Sequence, residues 1–210
     1  MELLPKNYIE QAESIEEHLK SLYHQSEETT EPPSYFRYTE MNQTRVRRLL
    51  KRSRWTESDW ANLNDLSFPI HLLVLTEHWC GDAANSIPFL IQMVDHVPML
   101  NMKMIYRDQH PELMDAFLTD GARSIPKVIA YDPASRKVIG SWGPRPQSLQ
   151  NKIRGWKRDP EMDSETRAYW TQKWYIEDKG QKVKEELIDF INQSVLVIDA
   201  IHSMGKIIGQ

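Results

Sequence analysis

Cysteine is almost absent from this chain: Cys80 is the only one in 210 residues. That excludes an internal disulfide, a Cys-x-x-Cys redox couple and an all-cysteine metal cage, so any thiol chemistry is monothiol. Long apolar runs are missing as well. None approaches the roughly 18 residues that a membrane-spanning helix needs, which argues against a membrane protein. Neither sign of charge dominates. With 26 Lys and Arg against 30 Asp and Glu, the net charge is −4, and no global positive field gathers nucleic acid or anionic lipid. The opening MELLPKNYIE has neither a basic nor an apolar leader region, so no export signal is read and a cytoplasmic location is expected.

What is present fits a soluble globular chain. Apolar residues make up 40% and charged residues 27%, near the usual averages, and the length suits one domain with additions or at most two small ones. Three regions differ in character. Residues 1–69 read as a helical N-terminal extension packed on the core, with Ile9, Ile15, Leu19 and Leu22 spaced for one helix face before a break at Glu31-Pro32-Pro33. A second helix carries six cations between Arg45 and Arg54 around Val46, Leu49 and Leu50. A solvated amphipathic face is preferred there over nucleic-acid contact.

The middle region, 70–157, alternates. Ile70 to Thr76 is a nearly continuous apolar run, the pattern of a strand covered on both faces. Gly81 to Val97 reads as a helix and Met102 to Tyr106 as a second strand, which implies a parallel crossover. Asp108 to His110 can cap a short helix with Pro111 in its first turn and Gly121 just past its end. Pro126 to Tyr131 and Lys137 to Ser141 read as a hairpin around Asp132-Pro133-Ala134-Ser135, and a helix from Pro146 to Trp156 follows. The result is an α/β unit of order β-α-β-α-β-β-α with a central mixed sheet. Residues 158–210 form a C-terminal helical extension broken at Lys179-Gly180. Its stripe of Val183, Leu187, Ile191, Val195 and Ile198 either covers the sheet or, over Val195 to Ile201, offers a homodimer contact. No repeat or low-complexity tract is present.

Cys80 falls where the first strand ends and a helix begins, within His78-Trp79-Cys80-Gly81-Asp82-Ala83. A helix N-terminus offers unpaired N–H groups and about half a positive charge, which favour a thiolate. Asp82 and Glu77 bring negative charge that disfavours one. The balance is left open by the sequence. His78, Cys80 and Asp82 alternate, but four convergent donors for a metal are not apparent and no metal or cofactor is expected. His78 is read as a surface loop histidine in preference to a nearby proton donor. The six tryptophans other than Trp79 read as packing anchors.

Trp79-Cys80-Gly81-Asp82-Ala83 resembles the Trp-Cys-Gly-Pro-Cys motif of thioredoxins at the same junction. Pro88 matches their kink proline, and Arg123-Ser124-Ile125-Pro126 resembles the segment bearing their cis-proline. The resemblance covers residues 70–157, and the Trp-Cys-Gly-Asp-Ala variant with helical flanks is similar to a bacterial thioredoxin-like subgroup. It implies a thioredoxin-like fold and a cis Ile125-Pro126 bond. It also implies a groove in which Trp79, Gly81, Asp82, Ile125 and Pro126 bind substrate beside the catalytic Cys80, with His78, Ser124 and Arg145 as auxiliaries. The departures matter equally. Ala83 replaces the resolving cysteine, and Val74 and Met104 stand where thioredoxins place a buried aspartate and its lysine partner. The glycine pair of glutaredoxins is not evident around Ser141 to Pro146. Arg145 can fork onto a carboxylate, although a solvated loop arginine is preferred.

The resemblance therefore implies a monothiol oxidoreductase. Cys80 would exchange thiols with disulfide-containing or thiolated proteins, a low-molecular-weight thiol resolving the mixed disulfide, with no nucleic-acid or membrane partner. The alternatives are a non-catalytic thioredoxin-fold protein-binding module and a monothiol redox sensor. The redox reading requires an accessible sulfur facing the proline loop; a sulfur sealed in the interior removes its basis.

Overall fold

The computed structural model describes residues 3–24, 33–63 and 65–208. In chain order, α1 (Lys6–Gln11), β1 (Glu13–Ser14), α2 (Ile15–Tyr23), α3 (Pro33–Arg52) and α4 (Glu57–Ala61) precede β2 (Ile70–Thr76), α5 (Gly81–His96) and β3 (Leu100–Tyr106). A 3-10 turn, α6 (Pro111–Asp115), β4 (Lys127–Tyr131), β5 (Val138–Trp142), α7 (Gln147–Arg158), α8 (Ser164–Asp178) and α9 (Gln181–Ile208) complete it. The order expected over residues 70–157 is present.

The apolar run of β2 explains its place. Among the described residues the sheet has the order β1-β3-β2-β4-β5, so β2 is central, parallel to β3 and antiparallel to β4. Val74 lies between Met104 and Val128 in the register, and all three are fully buried. A charge here would be desolvated on both faces, so residues that contribute roughly 1.5–3 kcal/mol each by burial fill the position instead. The β4–β5 hairpin closes as its loop chemistry dictates: the Asp132 carboxylate accepts the Ala134 and Ser135 N–H groups, each at 3.1 Å. The C-terminal stripe covers the sheet, with Val183, Leu187, Ile191, Val195 and Ile198 all buried and α9 packed on β5, β2 and α5. Leu196, on the opposite side of that helix, is exposed. None of the described helices is long and apolar enough to cross a membrane.

Two expectations need correction, and a third lies partly outside the described residues. The single N-terminal helix through Ile9 and Leu22 is broken, because Ala12 is extended and β1 pairs antiparallel with β3 through Glu13↔Met104 and Ser14↔Lys103. The cause is a capping box: Ser14 Oγ accepts the Glu17 N–H at 3.2 Å, while the Ser14 N–H donates to Glu17 Oε2 at 2.8 Å. Glu31 and Pro32 of the expected break lie outside the described residues, and Pro33 opens α3. Gly121 does not end a helix; α6 stops at Asp115, and Gly121 (φ 74°) follows Asp120 (φ 53°) in the turn closed by the Thr119–Ala122 bridge.

Candidate functional site

Cys80 is the N-cap of α5, with extended backbone (φ −74°, ψ 114°). Its sulfur accepts the Ala83 N–H at 3.4 Å and donates to the Ile125 carbonyl at 3.3 Å. The strand end and the proline loop thus meet at this atom, and the Ile125–Pro126 peptide is cis. The site is closed. Cys80 is only 6% exposed and Ile125 4%. A small cavity beside the sulfur, of about 20 Å³, is bounded by His18, Leu22, Asn42 and Val46 from the N-terminal helices and by Ala83 and Ile87. α3 is tied to the active loop by Asn42 Nδ2, which donates to the His78 carbonyl at 2.9 Å. α8 reaches it from the other side through Gln172, whose Oε1 accepts from Asn85 Nδ2 at 3.2 Å while Asn85 also donates to the Gly81 carbonyl. A Cβ on Gly81 would meet Gln172 Nε2 at 3.1 Å.

This enclosure decides the electrostatic balance that the sequence leaves open. Burial, followed by the Asp82 carboxylate, pushes the Cys80 thiol up to about 12, against the opposing pull of the helix N–H groups and Arg145. Near pH 7 the protonated thiol therefore prevails over the thiolate. The accessible sulfur that the redox reading requires is not what this conformation presents.

Asp82 and Arg145 occupy each other. Arg145 Nε and Nη2 both donate to Asp82 Oδ2, at 3.1 and 2.5 Å, and Tyr175 Oη donates to Oδ1 at 2.7 Å. Arg145 Nη1 donates to Gln150 Oε1 at 2.7 Å; Gln150 in turn donates to Asp120, which is clamped by Arg154. The expectation of a solvated Arg145 is overturned: its side chain and that of Asp82 are 14% and 12% exposed. A buried carboxylate at the start of α5 recruits the guanidinium because an unpaired charge there is costly.

His78 is likewise not a surface histidine. It is buried, lies 3.1 Å from both Ser21 Oγ and Tyr106 Oη, and is held down to about 4 chiefly by burial. Its neighbour His18, with ring centroids 4.9 Å apart, is held down to about 3 by burial and then by His78. Trp79 is half-buried between the Tyr35 ring, 4.7 Å away, and the Arg107 guanidinium, 4.9 Å away. Ser124 is partly exposed and donates its N–H to the Ala122 carbonyl. No cluster of three metal-ligating side chains exists among the described residues.

Sequence reasoning missed Asn42, Gln172 and Tyr175, which come from the flanking helices and carry no local signature. It also missed Gly143. That residue precedes a second cis peptide, has φ 111°, and lies so close to the proline loop that a Cβ would stand 2.2 Å from the Pro126 carbonyl oxygen. The Gly-Pro pair marks a turn, but not this approach.

The profile of the thioredoxin family matches residues 28–160, more than half of the chain. No curated protein matches it. Among solved structures, the crystal structure of an HIV epitope-scaffold is similar, with 14% identity, a TM-score of 0.56, and 93% of this chain and 97% of that chain covered. A protein of unknown function from Pseudomonas aeruginosa is similar at 15% identity and a TM-score of 0.56, covering 96% and 99%. At such identities these two likenesses speak to the fold alone. With the mixed sheet, the cysteine-capped helix and the adjoining proline loop described above, the family match leads to one conclusion: the chain belongs to the thioredoxin family.

Proposed function

We propose that this chain is a thioredoxin-fold protein-binding module in which Cys80 is a structural thiol. The observation that carries the reading is the enclosure of the sulfur, which donates to the Ile125 carbonyl, and burial pushes the thiol up in the same direction. The missing resolving cysteine and the Val74 and Met104 substitutions support it, since nothing remains for a second thiol step. The groove is filled by the protein's own helices, and several exposed apolar groups lie on the flanks. Tyr169 and Ile176 on α8 are each 63% exposed, and Lys173 sits over the Trp170 ring at 4.6 Å. The sensor reading loses support with the thiolate on which peroxide would act.

The test is Cys80 alkylation in the native protein. The rate should be at least 100-fold below that of the unfolded chain near pH 7. It should still climb with pH above 9, without the plateau of an ordinary thiol near 8.5. Cys80→Ser should keep the melting temperature within a few degrees. Rapid formation of a mixed disulfide with a small disulfide at pH 7 sinks the proposal.

One observation favours a second reading, a monothiol oxidoreductase that acts when its cover opens: the sulfur stands beside the Ile125 carbonyl, at the place where the resemblance puts a substrate backbone. In that case the Cys80 thiolate attacks a mixed disulfide, forming a Cys80 disulfide and releasing one thiolate, and an external thiol displaces the group again. Loosening the cover with Asn42→Ala and Gln172→Ala separates the readings. Under the second, alkylation and turnover with an added thiol rise together; under the first, only alkylation rises.

A further inference from the structure

Away from Cys80, the C-terminal turns of α3 face the turn between α8 and α9 across a cavity of about 230 Å³. Its lining includes apolar and aromatic groups: Leu49, Phe89, Ile176 and Tyr175. Its rim is cationic. Arg48 and Arg52 are one helical turn apart on α3 and therefore share a face, and Lys179 stands opposite them in a left-handed conformation (φ 54°). None of these three side chains has an ion pair or hydrogen bond among the described residues, and no carboxylate lines the cavity. The nearest acid in sequence, Asp178, is engaged in accepting the Lys182 N–H at 3.0 and 3.2 Å.

Helix dipoles explain part of this. Cations at the C-terminal ends of α3 and α8 are favoured by the partial negative charge there. They do not explain the apolar lining between the cations, where half-buried Leu49 and exposed Ile176 stand in front of the buried Phe89 and Tyr175 rings. Shape supports the same division. Gly180 (φ 81°) lies at the back wall, where a Cβ would strike the Phe89 ring at 2.0 Å, so the turn is pressed onto that ring rather than filling the space. The volume far exceeds the roughly 10–15 Å³ that a single water needs, which leaves room for a small organic molecule.

We propose that this cavity binds a small carboxylate with an apolar body, such as a medium-chain alkyl carboxylate, its head held by Arg48, Arg52 and Lys179 and its tail on Leu49, Phe89 and Ile176. Guanidinium pairs suit a carboxylate because each offers parallel donors. The proposal is independent of the chemistry of Cys80.

Calorimetric titration of the full chain with sodium octanoate is the test, with octanol, inorganic phosphate and anionic phospholipid vesicles as parallel probes. Saturable one-to-one octanoate binding is expected, weakened about tenfold or more by Arg48→Gln combined with Arg52→Gln and Lys179→Gln, and by Ile176→Asp. Octanol and phosphate should each bind at least about tenfold more weakly, because each offers only half of the complement. These side chains are exposed, so unchanged thermal unfolding of the variants confirms that folding is intact. Cys80→Ser should bind octanoate like the unaltered protein. The proposal is overturned by any of the following: no saturable heat at millimolar octanoate, equal binding of octanol or phosphate, indifference to the variants, or capture by vesicles without octanoate binding.

Discussion

A side chain's environment, not its type, sets what it does here. Arg145 is an example: by sequence it is a cation in a Gly-Pro-Arg-Pro loop, yet 63 residues separate it in the chain from the Asp82 that it neutralises. Removing it as Arg145→Leu leaves a buried carboxylate with only Tyr175 for company, and a loss of roughly 3–5 kcal/mol in urea unfolding is expected. A change below 1 kcal/mol would mean that water replaces the guanidinium. The histidine pair acts through pH. His18 and His78 titrate at about 3 and about 4 in the fold against an ordinary 6.5, both lowered first by burial. Between those values the unfolded chain binds more protons, so stability is complete above about pH 6.5 and falls as the pH drops towards 4. For His78 alone the loss approaches roughly 3 kcal/mol, at about 1.4 kcal/mol per unit. Comparing urea midpoints at pH 7 and 4.5 for the unaltered chain and for His18→Gln with His78→Gln isolates this term: the double variant should show the shallower slope. Cys80, Ile125 and Pro126 were legible because each sits in a contiguous motif. The state of the thiol was not, because burial is supplied by residues that announce nothing locally.

Elements were read best where one physical signal dominates. The run from Ile70 to Thr76 matches β2 residue for residue, since no amphipathic helix tolerates seven such neighbours without a polar face. α5 and α8 start within a residue of the expected positions, and Lys179-Gly180 breaks the C-terminal helices as read. The failure at Ala12 to Ser14 was avoidable: Ser14 followed three positions later by Glu17 is a capping signature that outweighs the apolar spacing across it. The α8–α9 turn is the least tolerant element boundary. Gly180→Ala puts a methyl group both in a left-handed backbone and inside the Phe89 ring, so thermal unfolding should move down by several degrees, about 1–3 kcal/mol. Gly180→Ala paired with Phe89→Leu should recover part of that loss, and failure to do so would place the strain in the backbone alone.

Across the whole molecule, both extensions converge on the same end of the sheet, α3 and α8 meeting over the start of α5. A family fold usually recognised by an open groove is here wrapped by its own additions. The N-terminal segment also runs along the sheet: Leu3 bridges Lys137 beside the β4–β5 hairpin, and β1 then pairs with β3 at the far side. β3 has seven residues, but β1 matches only Lys103 and Met104, with α1 and α2 lying alongside. Clipping the chain before Ile15 would remove α1 and β1 from this guard and bare the peptide groups that β1 pairs, an invitation to intermolecular strand pairing. Light scattering of such a clipped form should report oligomers that grow with concentration, whereas a stable monomer would show that α2 alone shields the border. Because that self-association would run through main-chain groups, replacing exposed leucines such as Leu196 would not cure it.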